Sequence, residues 1–282
     1  MAGSSKRAPN GASITSEQLI SELGVIPTAK ITGDWTVDKA TAALNTGIAF
    51  PTMAGSTSPL AYFHLLELLK TTKREGWRRF GVNYGESIAD HMYRMSLISM
   101  LAPPPLASRL DINRCIKMCL IHDMAESLVG DITPVDGVPK PEKSRREATT
   151  MDYITETLLG NVYGGESAIG KEIRAIWQEY EDSHTAESHF VHDVDKMELL
   201  LQMVEYEKRG KGLLDLVEFA YVATKMTLPE TRVWAGELLQ ERDAFWAAVK
   251  GKAAETEAAD GVSAEHKLKQ DDYYKRENNG SA

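Results

Sequence analysis

Cysteine is almost missing from this chain, with only Cys115 and Cys119 among 282 residues. Four apart in an apolar helical stretch, they read as buried, reduced thiols, and a disulfide framework is excluded. That pattern fits a reducing, intracellular compartment. Long hydrophobic runs are missing too. Nothing approaches the roughly 20 apolar residues of a membrane span. The opening MAGSSKRAPNGAS has no apolar signal core, and Glu17, Glu22 and Asp34 behind it argue against a transit peptide. Positive charge is in deficit: 32 Lys and Arg stand against 41 Asp and Glu, a net charge of −9, with a pI near 5.4. Such a surface repels nucleic-acid polymers and anionic membranes. A small anion is not excluded, because one metal ion and one or two local Arg or Lys residues suffice to hold it. A cytoplasmic protein is expected, with the nucleus a second location. No internal repeat and no convincing period-2 strand occurs.

What is present is a helical pattern with polar ends. Hydrophobic residues make up 43 % and charged residues 26 %, enough for a core without staples. Residues 1–12 are Gly-, Ser-, Ala- and Pro-rich and predict disorder. Short helices such as SEQLISEL are compatible with 14–49, and FPTMAGSTSP (50–59) reads as a linker. Helical periodicity begins with LAYFHLLELLK (60–70) and returns in 86–102, where Pro103 to Pro105 stop it. Asp111 is placed to cap a helix over 112–129 that Gly130 ends. Further helices are predicted over 141–160, 166–182, 186–209 and 230–250. The polar tail beyond Lys250 predicts disorder. The expected organisation is a mostly disordered or weakly structured extension over 1–58, one all-α domain over 59–250 and a disordered tail over 251–282.

One dipeptide stands out. His122 and Asp123 sit in CLIHDMAESLVGD, near the end of an otherwise apolar helix. Neighbours on a helix point about 100° apart, so both can reach one ion beside it. Glu126 falls on the same patch of surface, and Asp131 comes directly after the helix-ending Gly130. Ionisable groups this dense on a buried face are costly unless a cation compensates. A lone His–Asp pair is more often capped or solvated than metal-bound. Two further residues favour the metal: His91, in the mostly apolar ESIADHMYRMS, and Asp195, in FVHDVDKMELLLQ. The chain thus reads H…HD…D over three helices.

That pattern resembles the HD-domain phosphohydrolases, and the words ESIADHMYRM, LIHDMAESLVGDITP and VDKMELLLQMVEYE resemble their 5'-deoxynucleotidase branch over about 60–210. The resemblance implies an all-α HD-domain bundle of about six helices with the metal site between helices. It implies His91, His122, Asp123 and Asp195 as ligands of a divalent cation, Glu126 as the catalytic acid and Asp131 as a second catalytic carboxylate. It also implies a substrate-binding Arg and Trp, for which KREGW offers Arg74 and Trp77. The expected reaction is hydrolysis of a deoxyribonucleoside 5'-monophosphate, and the expected assembly is a homodimer. Glu75 departs from the small Thr expected there, and would repel phosphate if it pointed inward. Imidazole and carboxylate without thiolate suit Mn, Co, Fe, Ni or Zn.

Other residues have plainer readings. Arg94 faces either the site or solvent. His192 and Asp193 compete with Asp195, and only the resemblance decides for Asp195. His64, His184, His189 and His266 read as surface or structural residues, EKSRRE (142–147) as a solvated helix face, and Trp177, Trp234 and Trp246 as anchors. Rival functions are another HD activity, on deoxynucleoside triphosphates or cyclic nucleotides, and a non-catalytic helical binding module. The rival module would be expected to have a broken site, yet every expected ligand and acid is present.

Overall fold

A computed structural model describes residues 31–253 apart from 32, 45, 166 and 167. The predicted disorder of 1–12 and of the tail beyond 253 lies outside the described residues. Among those residues the regular structure is helical, and the single extended pairing is an isolated antiparallel bridge between Lys73 and Ser87. The helices are α1 (Val37–Ala43), α2 (Leu60–Thr71), α3 (Glu75–Arg78), α4 (Ile88–Ser99), α5 (Pro104–Ala107), α6 (Ile112–Ile121), α7 (Glu126–Val129), α8 (Lys140–Asp152), α9 (Ile169–Asp182), α10 (Ala186–Arg209) and α11 (Pro229–Ala253).

Local chemistry accounts for several boundaries. Ser87 and Asp90 form a reciprocal capping box at the start of α4, and Thr185 with Ser188 does the same for α10. Asp111 caps α6 by accepting the Arg114 N–H at 3.1 Å, as its position predicted. The helix predicted over 112–129 is instead broken. Met124, Glu126 and Ser127 donate to carbonyls three residues back, not four, at 2.9, 3.0 and 3.2 Å. Tightening to three residues per turn stacks side chains i and i+3, so Glu126 is brought over Asp123. Gly130, at φ 76°, then turns the chain through a conformation that costs a side-chain-bearing residue. Helix α8 widens into a π-helical stretch, Tyr153–Leu158. Gly160 lets the chain leave it, since a Cβ there would meet the Glu156 carbonyl at 2.2 Å.

Helix α10 is the central beam. Its first half packs against α4 and α6 in the main core, and its second half joins a smaller cluster with a 3-10 segment (Val217–Lys225) and α11. Two buried acids bind α10 to the C-terminal elements. Asp193 accepts the Thr227 and Leu228 N–H groups and the Thr231 hydroxyl at 2.7–3.0 Å. Glu207 accepts the Leu216 N–H, the Arg242 guanidinium and the Trp246 indole N–H. A buried carboxylate is tolerated only when so compensated.

The described part of the segment ahead of residue 59 departs from the expectation of a weakly structured extension. Trp35, Val37 and Ala40 are buried in the main core. Arg145 donates to the Trp35 carbonyl at 3.0 Å, and the Tyr153 hydroxyl to that of Pro51 at 2.7 Å. The physical reason is area: one buried indole removes enough apolar surface from water to dock a short helix.

Candidate metal centre

His91 comes from α4, His122 and Asp123 from the end of α6, and Asp195 from α10. The His122 Nδ1–H donates to the Cys119 carbonyl at 3.0 Å, a bond within its own helix turn, which leaves Nε2 facing inward. His91 Nδ1 lies 2.6 Å from Glu198 Oε2, and its Nε2 also faces inward. Both Nε2 atoms are buried without a hydrogen-bond partner. Around them, Asp123 Oδ2 stands 3.1 Å from His122 Nε2 and 3.8 Å from His91 Nε2, and Asp195 Oδ1 stands 3.2 Å from His91 Nε2. Donor atoms of His91, His122 and Asp123 lie within 4.8 Å of one another. Two orphaned imidazole nitrogens turned toward carboxylate oxygens fit a divalent cation, and Asp195 offers a fourth donor.

The charges show how tightly these groups are coupled. Burial pushes the Asp123 and Asp195 carboxyls up, but His122, His91 and Arg74 outweigh it and hold both well below the usual range. For His91, burial and Arg74 lower the pKa, yet Glu198 and Asp195 raise it to about 10. Glu126 behaves in the opposite way. Burial, then Asp123 and Asp131, raise it well above the carboxylate range, and its buried Oε2 has no hydrogen-bond partner.

Arg74 caps the start of α3 at the edge of this group. Its guanidinium is 3.6 Å from Asp123 and 3.9 Å from Glu86. Burial lowers its pKa, but Asp131, Asp123, Glu86 and Asp195 together raise it well above normal. Asp131 Oδ2 accepts the Glu75 N–H at 2.6 Å, so this acid holds the start of α3 in place. The Glu75 side chain turns to Arg78 at 2.8 Å, which removes the repulsion feared for phosphate.

Trp77 does not lie open as a plate for the sugar. Its residue is 2 % exposed, wedged against Phe219 and Tyr206 with ring centroids 4.7 and 5.3 Å away. Its indole N–H donates to Glu86 Oε1 at 2.8 Å. The spacing from Arg74 was legible, but the small core that receives the indole is assembled from 197–238, far along the chain.

The candidate ligands on α10 differ in their partners. Asp193 is consumed by the start of α11. His192 Nε2 donates to the Tyr180 carbonyl at 3.0 Å, and burial, then Lys196, depress its pKa to about 4. Arg94 faces the site's rear, bonded to Glu198. His64, His184 and His189 are exposed. The run 142–147 is not uniformly solvated, since burial pushes Glu147 up to about 7 against the opposing pull of Lys143. Sequence reading missed Glu198, Glu86 and Tyr180, whose hydroxyl donates to Asp195 Oδ2 at 3.3 Å. Glu198 had a signal, an acid three residues after Asp195 within an apolar run.

Comparison with known proteins places the chain in a family. A family model described as HD domain matches residues 66–231. The chain is 42 % identical over 200 residues to 5'-deoxynucleotidase hdd1 of Schizosaccharomyces pombe, covering 71 % of this chain and 98 % of that protein. It is 39 % identical over 192 residues to human 5'-deoxynucleotidase HDDC2, covering 67 % and 88 % respectively. Among solved structures, HD domain-containing protein YGK1 superposes with a TM-score of 0.52 at 34 % identity, over 67 % of this chain and 87 % of that one. The chain belongs to the HD domain family.

Proposed function

We infer that this chain is a metal-dependent 5'-deoxynucleotidase, hydrolysing deoxyribonucleoside 5'-monophosphates to deoxyribonucleosides and phosphate. Relatives named for that activity match it over two thirds of its length. The observation that carries the reading is the pair of buried, partnerless imidazole nitrogens of His91 and His122 beside Asp123 and Asp195. We assign these four residues as ligands of one divalent ion, of the Mn, Co, Fe, Ni or Zn class. Such an ion, when bound, polarises the phosphoryl group and lowers the pKa of water.

The chain's own groups supply the rest. Arg74, permanently charged, holds the phosphate by charge-assisted hydrogen bonds. Asp131 fixes the α3 backbone that carries Arg74. Water attacks phosphorus and the bond to the 5'-oxygen breaks; Glu126 delivers its carboxyl proton to that leaving oxygen and takes back the proton that the attacking water loses. The acidic surface supports a small nucleotide rather than a polymer as substrate. A cytoplasmic or nuclear homodimer accompanies the proposal. The apolar row Tyr93, Leu97, Met100 and Leu101 is exposed along and just past α4, and supports self-association.

The test is free-phosphate release from a panel of mono-, tri- and cyclic nucleotides across several divalent metals, after stripping with a chelator. Metal-restored turnover confined to deoxynucleoside monophosphates is expected. Preference for triphosphates or cyclic nucleotides would move the chain to another HD activity, and no turnover with any metal would make it a binding module.

A further inference from the structure

The His91 ring is gripped on one side and open on the other. Nε2 faces Asp195 and Asp123 without a hydrogen-bond partner. Nδ1 lies 2.6 Å from Glu198 Oε2. Glu198 is completely buried, and its other oxygen accepts from Arg94 Nε at 2.8 Å. The same guanidinium reaches Glu205 at 2.8 Å and Gln202 at 2.9 Å. Residues 198, 202 and 205 recur on one stripe of α10, so Arg94 from α4 straps the two helices together behind the ring.

An ionised carboxylate only accepts hydrogen bonds, and Glu198 lies closer to Nδ1, at 2.6 Å, than Asp195 and Asp123 lie to Nε2, at 3.2 and 3.8 Å, so a ring with one proton carries it on Nδ1. That leaves the Nε2 lone pair for a ligand. There is a competing arrangement. Donor atoms of Glu86, His91 and Glu198 also lie within 4.8 Å of one another, a second acidic group compact enough for a cation. On that side, however, a positive charge is already in place, the Arg94 guanidinium bonded to Glu198.

We propose that Glu198 and Arg94 are positioning residues for the ion, fixing the proton on His91 Nδ1 so that Nε2 binds metal and closing the Glu86–His91–Glu198 side to it. This rests on the metal centre assigned above. A carboxylate behind a ligating histidine is typically worth 10- to 100-fold in metal affinity.

The experiment uses the full chain, labelled with 15N-histidine and loaded with zinc. A long-range proton–nitrogen correlation spectrum should show zinc on His91 Nε2 and a proton on Nδ1. Zinc affinity is then measured by competition with a chromophoric chelator. Glu198→Ala should bind zinc about 10- to 100-fold more weakly. Glu198→Gln keeps an acceptor oxygen and should recover most of the loss, and Arg94→Met should weaken binding by less than Glu198→Ala. Zinc on Nδ1, or wild-type affinity in a folded Glu198→Ala, overturns the proposal. If Glu198→Ala does not fold, the wild-type spectrum decides alone. Zinc that perturbs neither His91 nor His122 would overturn the metal centre as well, a result distinct from binding at Nδ1.

Discussion

At Asp123 and Glu126 the chain places two carboxyl groups one tight turn apart and drives their proton affinities in opposite directions. Asp123 meets His122, His91 and Arg74 and stays ionised. Burial, then Asp123 and Asp131, raise Glu126 well above the carboxylate range. Pairs of acids pushed apart in this way are how one site obtains an ion ligand and a proton donor from the same chemical group. Asp123→Ala should abolish both bound metal and turnover, because no neighbour replaces its charge; elemental analysis showing full occupancy would contradict the ligand assignment. Glu126→Gln should keep the metal and lose about 10²- to 10⁴-fold in kcat, since the change preserves shape and removes only proton transfer. Metal content and single-turnover kinetics, measured on the same preparation, separate the two roles.

Among the elements, the short helix α3 matters more than its four residues suggest. It carries Arg74 at its cap, receives Asp131 at its first N–H and is anchored through Trp77 in the smaller core. Glu86 links these parts, since its carbonyl accepts the Arg74 N–H at 3.2 Å and its carboxylate accepts the Trp77 indole. Trp77→Ala should therefore cost about 3–5 kcal/mol of stability, as for other buried aromatic truncations. It should also raise KM for the nucleotide by loosening Arg74, with metal content unchanged. Urea unfolding and steady-state kinetics check both effects. A change in the dAMP-to-AMP ratio at unchanged KM would show instead that the indole reaches the sugar.

For the whole molecule, the core begins earlier than the helical pattern suggested. Trp35 is 3 % exposed and lies against Arg146, 5.9 Å from the ring centroid. A chain starting at residue 59 loses that burial, about 3–5 kcal/mol. Its melting temperature should fall by roughly 6–20 °C relative to a chain starting at residue 31; equal values would return 31–58 to the status of an appendage. The charge balance has its own signature. With its pKa raised from 6.5 to about 10, His91 is an imidazolium in the metal-free protein at neutral pH. That stabilisation is full below about pH 6.5 and is lost as pH rises through about 10. Metal-free protein should accordingly melt at lower temperature as pH rises through this window. Metal binding, which must displace the proton, should tighten with pH. Calorimetry in two buffers of different ionisation enthalpy counts the protons released; none released would remove His91 from the ligand set.

The sequence by itself determined the helical class, most helix positions and the identity of the acids and imidazoles that meet. Periodicity, caps such as Asp111 and the dense His122–Asp123–Glu126 run are local signals, written within one or two helix turns. It also placed Arg74 near the site, through a family resemblance carried by short words. What it left open depended on residues brought together from distant segments. Whether Trp77 faces sugar or core was decided by Tyr206 and Phe219, more than a hundred positions away. The choice among His192, Asp193 and Asp195 needed the start of α11 to claim Asp193. Arg94 had no assignable side until Glu198 came behind His91. A side chain's role at a buried site is set by the partners that compensate its charge or fill its surroundings, and only tertiary structure supplies those.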